Sequence, residues 1–277
     1  MPVSLTEIQK QRLRELNAPP ATCETLFVTA QERDRAFQEI EKRWAEENRQ
    51  RLLKLRDTDR RPALCELERR LVDALTSASF VQVVTPILLS KGLLEKMSIT
   101  EEHPLWNQVF WVGPNKCLRP MLAPHLYVLM RTLNRLWGKP IRIFEVGPCF
   151  RKESTGSHHL DEFTMLNLVE MGLPEERRHE RLKELADLVM MTARIESYEL
   201  ASTSSEVYGE TIDVVAGTEV GSCAMGPHLL DQAWGVLDPW VGLGFGLERM
   251  IMLREGHENI HRVGRSLAYL DGVRLNI

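Results

Sequence analysis

The sequence has no apolar run of membrane-spanning length, no CxxC pair, no GxGxxG turn and no Walker lysine. Each absence removes a class of protein. A bilayer-spanning helix needs about 20 consecutive apolar residues. The five cysteines, Cys23, Cys65, Cys117, Cys149 and Cys223, are scattered and odd in number. They read as reduced, mostly packed thiols of a cytoplasmic protein, not as a disulfide framework or a structural zinc site. No secretory signal pattern opens the sequence, which carries the same expectation. Positive charge is not in excess, since 35 Lys and Arg face 39 Asp and Glu for a net charge of −4. A uniformly basic nucleic-acid coat is thereby excluded, and any RNA contact must come from a local patch. His158 and His159 are adjacent, closer than the usual spacing of a zinc pair. No nucleophilic triad, internal repeat or low-complexity segment stands out.

What is present is ordinary for a globular protein: 43% hydrophobic and 27% charged residues over 277 positions. That length suits one large domain with an appendage, or two small ones. Leu5, Ile8, Leu13 and Leu16 have helical spacing, with Thr6 or Ser4 as cap. A charged helix is predicted over 29–55. Its end is basic, with Arg49, Arg51, Lys54, Arg56, Arg60 and Arg61. Such a run is either a solvated helix face or a contact for an RNA backbone. A helix through Leu64, Leu67, Leu71 and Leu75 follows Pro62, so the expected boundary falls near residue 60, between a helical region 1–60 and a domain 61–277. Strands are predicted at 108–112 and 116–119. After Pro124, Ala123, Leu126, Tyr127 and Met130 share one helix face. A long helix is expected over 175–194, and strands at 198–201, 211–215 and 219–225, with the polar stretch 202–210 as a hairpin tip.

Two stretches carry chemistry. The first, FRKESTGSHHLDEFTMLN (150–167), has the pattern of an antiparallel hairpin with a long tip. Side chains alternate along a strand, so Phe163, Met165, Asn167 and Val169 share a face, with Phe163 and Asn167 about 13 Å apart. A ligand with a flat ring at one end and an organic side chain at the other fits that row. Arg151, at the loop's entry, suits a phosphate. The second stretch is GLGFGLER (242–249). Its alternate glycines leave one strand face bare, so a flat ligand can lie on the backbone. Arg249 follows, with a guanidinium able to stack on a ring. Trp240 shares the glycine face by parity.

These stretches resemble motifs 2 and 3 of the class II aminoacyl-tRNA synthetases. The stretch SFVQVVTP (79–86) resembles their dimer-forming motif 1, with Ser79 where a glycine is customary. Within that family, RPMLAPHLY (119–127), EFTMLNLVEMG (162–172), VYGETIDV (207–214) and DPWVGLGFGLER (238–249) are similar to the branch that acts on pyrrolysine. The similarity spans nearly the whole chain. It implies an α+β fold, a class II synthetase-type antiparallel β-sheet flanked by helices, with an N-terminal helical region. It also implies a ligase that uses ATP with Mg2+, pyrrolysine and a cognate amber-suppressor tRNA.

By the resemblance, Arg151 binds the α-phosphate and the substrate carboxylate, and Phe163 and Arg249 sandwich adenine. Glu153 holds the adenine amino group, helped by main-chain atoms near His159 and Leu160. Gly244 and Gly246 belong to the ATP floor. Glu219 and Ser222 hold magnesium and phosphate. Those two residues would face opposite ways on a regular strand, so a bulge at Gly221 is expected. Asn167 bonds the carbonyl of the substrate's side-chain amide. Ala123, Leu126, Tyr127, Met130, Val169, Trp240 and Gly242 enclose its bulky ring, and Tyr208 closes over it. A homodimer is implied. Since no separate RNA-binding domain precedes the first helix, the body is expected to grip tRNA through Arg49, Arg51, Lys54 and Arg56. A separate small basic tRNA-binding protein is expected to assist. Two other readings compete: a class II ligase for phenylalanine or phosphoserine, and an inactive paralogue that regulates. A phenylalanine pocket needs no Asn167 amide, and an inactive paralogue usually loses motif residues that are present here.

Overall fold

The structure, a computed structural model, describes residues 2–152, 156, 159–205 and 207–277. Two compact units are present, one of Met1–Ala63 with Ser266–Ile277, the other of Leu64–Arg265.

In the first unit, helix α1 (Glu7–Glu15) starts at Thr6 with a capping box. The Thr6 hydroxyl accepts from the Gln9 N–H while the Gln9 side chain accepts from the Thr6 N–H, so two orphan donors are satisfied at once. Leu5, Leu13 and Leu16 are buried, but Ile8 is exposed. Helix α2 (Ala30–Lys54) places Phe37, Ile40 and Trp44 against Leu5, Leu13 and Phe27. Buried Asn48 donates to the carbonyls of Leu16 (2.6 Å) and Trp44 (2.8 Å) and ties the helices together. The C-terminal segment joins this unit through Asn17 to the Gly272 carbonyl at 3.1 Å and the Ala63 N–H to Asp271 at 2.7 Å. Helix α2 runs on as a π turn, Leu55–Asp59, and stops at Arg60, whose φ is +62°.

Helix α3 (Ala63–Ser77) buries Leu67, Leu71 and Leu75. Its C-terminus explains the customary glycine. The Phe80 N–H donates to the Leu75 carbonyl and the Ser79 N–H to that of Thr76, both at 3.0 Å. This is a Schellman turn, whose penultimate residue must be left-handed. Ser79 occupies that place with φ +65°. A side chain there is strained, partly offset by the entropy that glycine would lose on folding. Ser79→Gly should therefore stabilise the fold by about 0.5–1 kcal/mol. Urea unfolding that shows no gain would count against this account.

The main sheet has seven strands: β1 (Val81–Gln82), β2 (Ile141–Phe150), β3 (Glu162–Met171), β4 (Glu199–Ser205), β5 (Gly209–Val215), β6 (Glu219–Gly226) and β7 (Trp240–Gly246). Their spatial order is β1-β2-β3-β7-β6-β5-β4. All neighbours are antiparallel except β1 and β2, which run parallel. Helix α4 (Ala123–Trp137) packs on β2 and β3, and α5 (Arg178–Ala193) packs on β7. A three-stranded sheet (Leu88–Ser90, Trp111–Gly113 and Lys116–Leu118) stands apart.

Two expectations shift. Residues Pro104–Gln108 form a 3-10 turn, so the strand predicted from residue 108 begins at Trp111. The hairpin tip predicted over 202–210 is shorter, because the ladder runs to Ser205 and resumes at Gly209. The thiols of Cys117, Cys149 and Cys223 are buried, and burial pushes them up to about 11, about 12 and about 12. They are protonated and unreactive at neutral pH. No helix among the described residues is long and apolar enough to cross a membrane.

Candidate active site

The sheet carries a cavity of about 340 Å³. Strand parity builds its floor. Phe163, Met165, Asn167 and Val169 of β3 all line it, as do Trp240, Gly242, Gly244 and Gly246 of β7. The register sets Val169 opposite Gly242, Asn167 opposite Gly244 and Met165 opposite Gly246. Three of the four cavity-lining side chains of β3 thus stand beside a glycine of β7. At Gly246 an added Cβ would meet nothing within 4 Å. Protein packing therefore does not require that glycine.

Helix α4 supplies one wall through Ala123, Leu126, Tyr127 and Met130, the face that the sequence spacing predicts. Tyr127 stacks on Trp234 (centroids 5.1 Å apart) and meets the edge of Trp240 at 5.7 Å. Tyr208 also lines the cavity. The Asn167 amide makes no hydrogen bond among the described residues and faces this apolar enclosure.

At the other end, a β-bulge brings Glu219 and Ser222 to one cavity. Gly221 pairs with Val214 and Glu219 with Val215, so Val220 is the extra residue. The bulge thus sits one residue earlier than the predicted Gly221. It adds one step to the alternation, and both polar side chains line the cavity. Arg249 Nη1 lies 3.7 Å from the Glu219 carboxylate and 3.4 Å from its carbonyl. Arg151 donates through Nε to the Pro120 carbonyl at 3.0 Å, and its guanidinium stands 5.3 Å from the Phe163 ring centroid. The cation over Phe163 is therefore Arg151, while Arg249 is turned to Glu219. His159 and Leu160 line the cavity too. Glu153 and His158 lie outside the described residues.

Under the floor, buried Glu248 accepts the Thr164 N–H on both oxygens at 2.9 Å. Burial raises its carboxyl above the ordinary range, against these hydrogen bonds and Arg265, which lower it. Arg119 escapes sequence reasoning. It is 2% exposed and bonds Glu145 at 2.7 Å, Thr85 Oγ1 at 3.0 Å and the Pro148 carbonyl at 2.8 Å. The Arg119 carbonyl accepts from the Phe150 N–H at 3.0 Å, next to Arg151. An added Cβ at Gly147 would lie 2.3 Å from the Arg119 guanidinium, which is why the strand carries glycine there. Asp231 also escapes it, since its partner Tyr127 is 104 residues away. The one local signal was an arginine beside Pro120 amid apolar residues.

Residues 55–271 match the family model of the class II tRNA synthetase core domain (F), and the chain belongs to this family. It is similar to the crystal structure of pyrrolysyl-tRNA synthetase from Desulfitobacterium hafniense, with a TM-score of 0.92 and 56% identity over 98% of each chain. A second structure, of Desulfitobacterium hafniense PylSc, a pyrrolysyl-tRNA synthetase, gives 0.91 and 55% identity, covering 99% of this chain and 98% of that one. A threonine–tRNA ligase of Buchnera aphidicola subsp. Schizaphis graminum (strain Sg) is 30% identical over 98 residues, 34% of this chain. The chain spans 15% of the length of that curated relative.

Proposed function

We propose that this chain activates pyrrolysine with ATP and transfers it to the 3' end of its cognate tRNA. The observation that carries this reading is the uncommitted Asn167 amide beside the apolar walls of Leu126, Tyr127, Met130, Val169 and Trp240, in one row with Phe163. Asn167 is half-buried, and once a ligand encloses it an amide without a partner is costly, so it selects a ligand that supplies one. A phenylalanine pocket would need no amide. The likeness to two pyrrolysyl-tRNA synthetase structures over the whole chain supports the same substrate.

Activation is attack of the substrate carboxylate oxygen on the α-phosphorus of ATP. A mixed anhydride forms, and the bond to pyrophosphate breaks. Positioning and charge stabilisation suffice for such an in-line displacement. Arg151 holds the α-phosphate and the carboxylate. Adenine lies on the bare glycine strip between Phe163 and Arg249, with Glu153, His159 and Leu160 at its edge. Glu219 and Ser222 are hard oxygen donors on one face of the cavity, and would hold Mg2+ together with ATP phosphates. Bound there, the ion would neutralise phosphate charge. Ala123, Leu126, Tyr127, Met130, Val169 and Trp240 enclose the ring of the amino acid, under Tyr208.

Amino-acid-dependent pyrophosphate exchange across a panel of amino acids tests the assignment. Exchange with phenylalanine but not with N-ε-acylated lysines would refute it. Two variants sharpen the test. Asn167→Ala should weaken activation of an N-ε-acylated lysine by about tenfold while ATP binding persists. Equal activity of variant and parent would remove the role given to Asn167. Gly246→Val should fold normally, since nothing stands within 4 Å, and lose ATP binding because its side chain fills the adenine floor. Calorimetric titration with ATP unchanged by the valine would refute the floor.

Val81, Val84, Ile87 and Leu88 are exposed around motif 1, which supports a two-fold homodimer through this segment. For tRNA, the basic end of α2 belongs to the first unit. Arg49, Lys54 and Arg56 are paired with Glu46, Asp59 and Asp57 on the surface. Exposed pairs of this kind are weak enough for phosphates to displace. The buried free thiols fit a reducing compartment such as the cytoplasm.

A further inference from the structure

Asp231 is 2% exposed and takes no part in the roles above. Its carboxylate accepts from two residues that line the cavity and from one backbone N–H beside it. Tyr127 of α4 donates to Oδ1 at 2.9 Å. Trp240 of β7 donates its indole N–H to Oδ2 at 2.7 Å, and the His228 N–H reaches the same oxygen at 2.7 Å. The His228 ring stands edge-on to Tyr208, with centroids 5.8 Å apart. Two walls and the support of the covering tyrosine thus converge on one carboxylate.

We infer that Asp231 is the positioning residue of this pocket, fixing Tyr127, Trp240 and the His228–Tyr208 contact in the arrangement that receives the amino acid. The inference rests on reading the cavity as an amino-acid pocket. A carboxylate only accepts, so all three donors are aimed inward. The phenolic hydrogen of Tyr127 is committed to Asp231 and is not offered to the substrate. Asparagine could still accept from Trp240 and His228 through one oxygen. Its NH2 group would then face Tyr127, reverse that bond and release the phenolic hydrogen. Alanine would lose all three.

The test is a graded series in the full chain, measured by pyrophosphate exchange with an N-ε-acylated lysine. Asp231→Asn should raise KM for that amino acid about tenfold and Asp231→Ala about 100-fold, from one bond reversed and then all three lost. KM for ATP should stay within about twofold, a split that general loosening does not produce. Rising together, the two KM values would overturn the inference, as would unchanged kinetics. A second readout needs no substrate. Trp240 indole N–H exchange, followed by NMR, should quicken at least about tenfold in Asp231→Ala, because its acceptor is gone. Trp234, whose buried indole N–H has no acceptor among the described residues, serves as reference. If the parent activates no N-ε-acylated lysine, the substrate assignment fails alone. The tie is then decided by the indole, and equal exchange in parent and variant overturns it.

Discussion

Arg151→Ala should lower pyrophosphate exchange by about 10²–10³-fold, or about 3–4 kcal/mol, the range for losing one preorganised donor to a charged transition state. The geometry supports an effect on chemistry more than on folding. Arg151 is half-buried at the cavity wall, and the bond from its Nε goes to the Pro120 carbonyl. Its guanidinium lines the same cavity as Glu219 and Ser222. The side chain also contacts the Phe163 ring, so the melting midpoint of the alanine variant is measured beside its activity. Lysine in its place should recover little, since a point charge cannot reproduce a fork that holds two oxygens. Near-normal exchange by a folded alanine variant would refute the phosphate role.

The largest effect on stability should come from Glu145→Ala. Glu145 is 1% exposed and accepts from Arg119 at 2.7 Å, the Thr85 hydroxyl at 2.6 Å and the Thr85 N–H at 3.1 Å. Its loss strands a guanidinium that is itself 2% exposed. Breaking such a buried pair costs about 3–5 kcal/mol, against the near-zero median of an exposed pair. For a chain of this size the melting midpoint should drop by about 6–20 °C. The double variant Arg119→Met/Glu145→Leu should recover much of the loss, since no charge is left uncompensated. Activity should not recover with it, because the Arg119 backbone and the Arg151 anchor depend on the same turn. Thermal melts and exchange assays on the three proteins separate these outcomes. A single variant as stable as the parent would show that the pair is energetically idle.

The floor of the site was legible because its code is local. A strand repeats every two residues, so the sequence alone places Phe163, Met165, Asn167 and Val169 on one face and the glycines of 242–246 on another strand's bare face. Helix α4 was legible in the same way, through its spacing of three and four. The Thr6 cap lies within three residues of its partner, and Ser79 was visible as a departure before its left-handed φ gave the reason.

Only the tertiary structure decided the rest, and for the buried side chains the partners are far apart in sequence. Arg119 meets Glu145 across 26 residues, and Tyr127 meets Asp231 across 104. No period links such positions, since they become neighbours only when helix and sheet close on each other. The bulge at Val220 is a property of two strands in register, so one strand's sequence could raise the need for it but not its place. The final segment, Ser266–Ile277, joins the N-terminal unit through bonds such as Asn17 to Gly272, 255 residues apart. Local spacing thus determined which faces the elements present. Long-range burial of charge and backbone decided which faces meet, because a buried ion or amide must find its partner wherever the fold brings one.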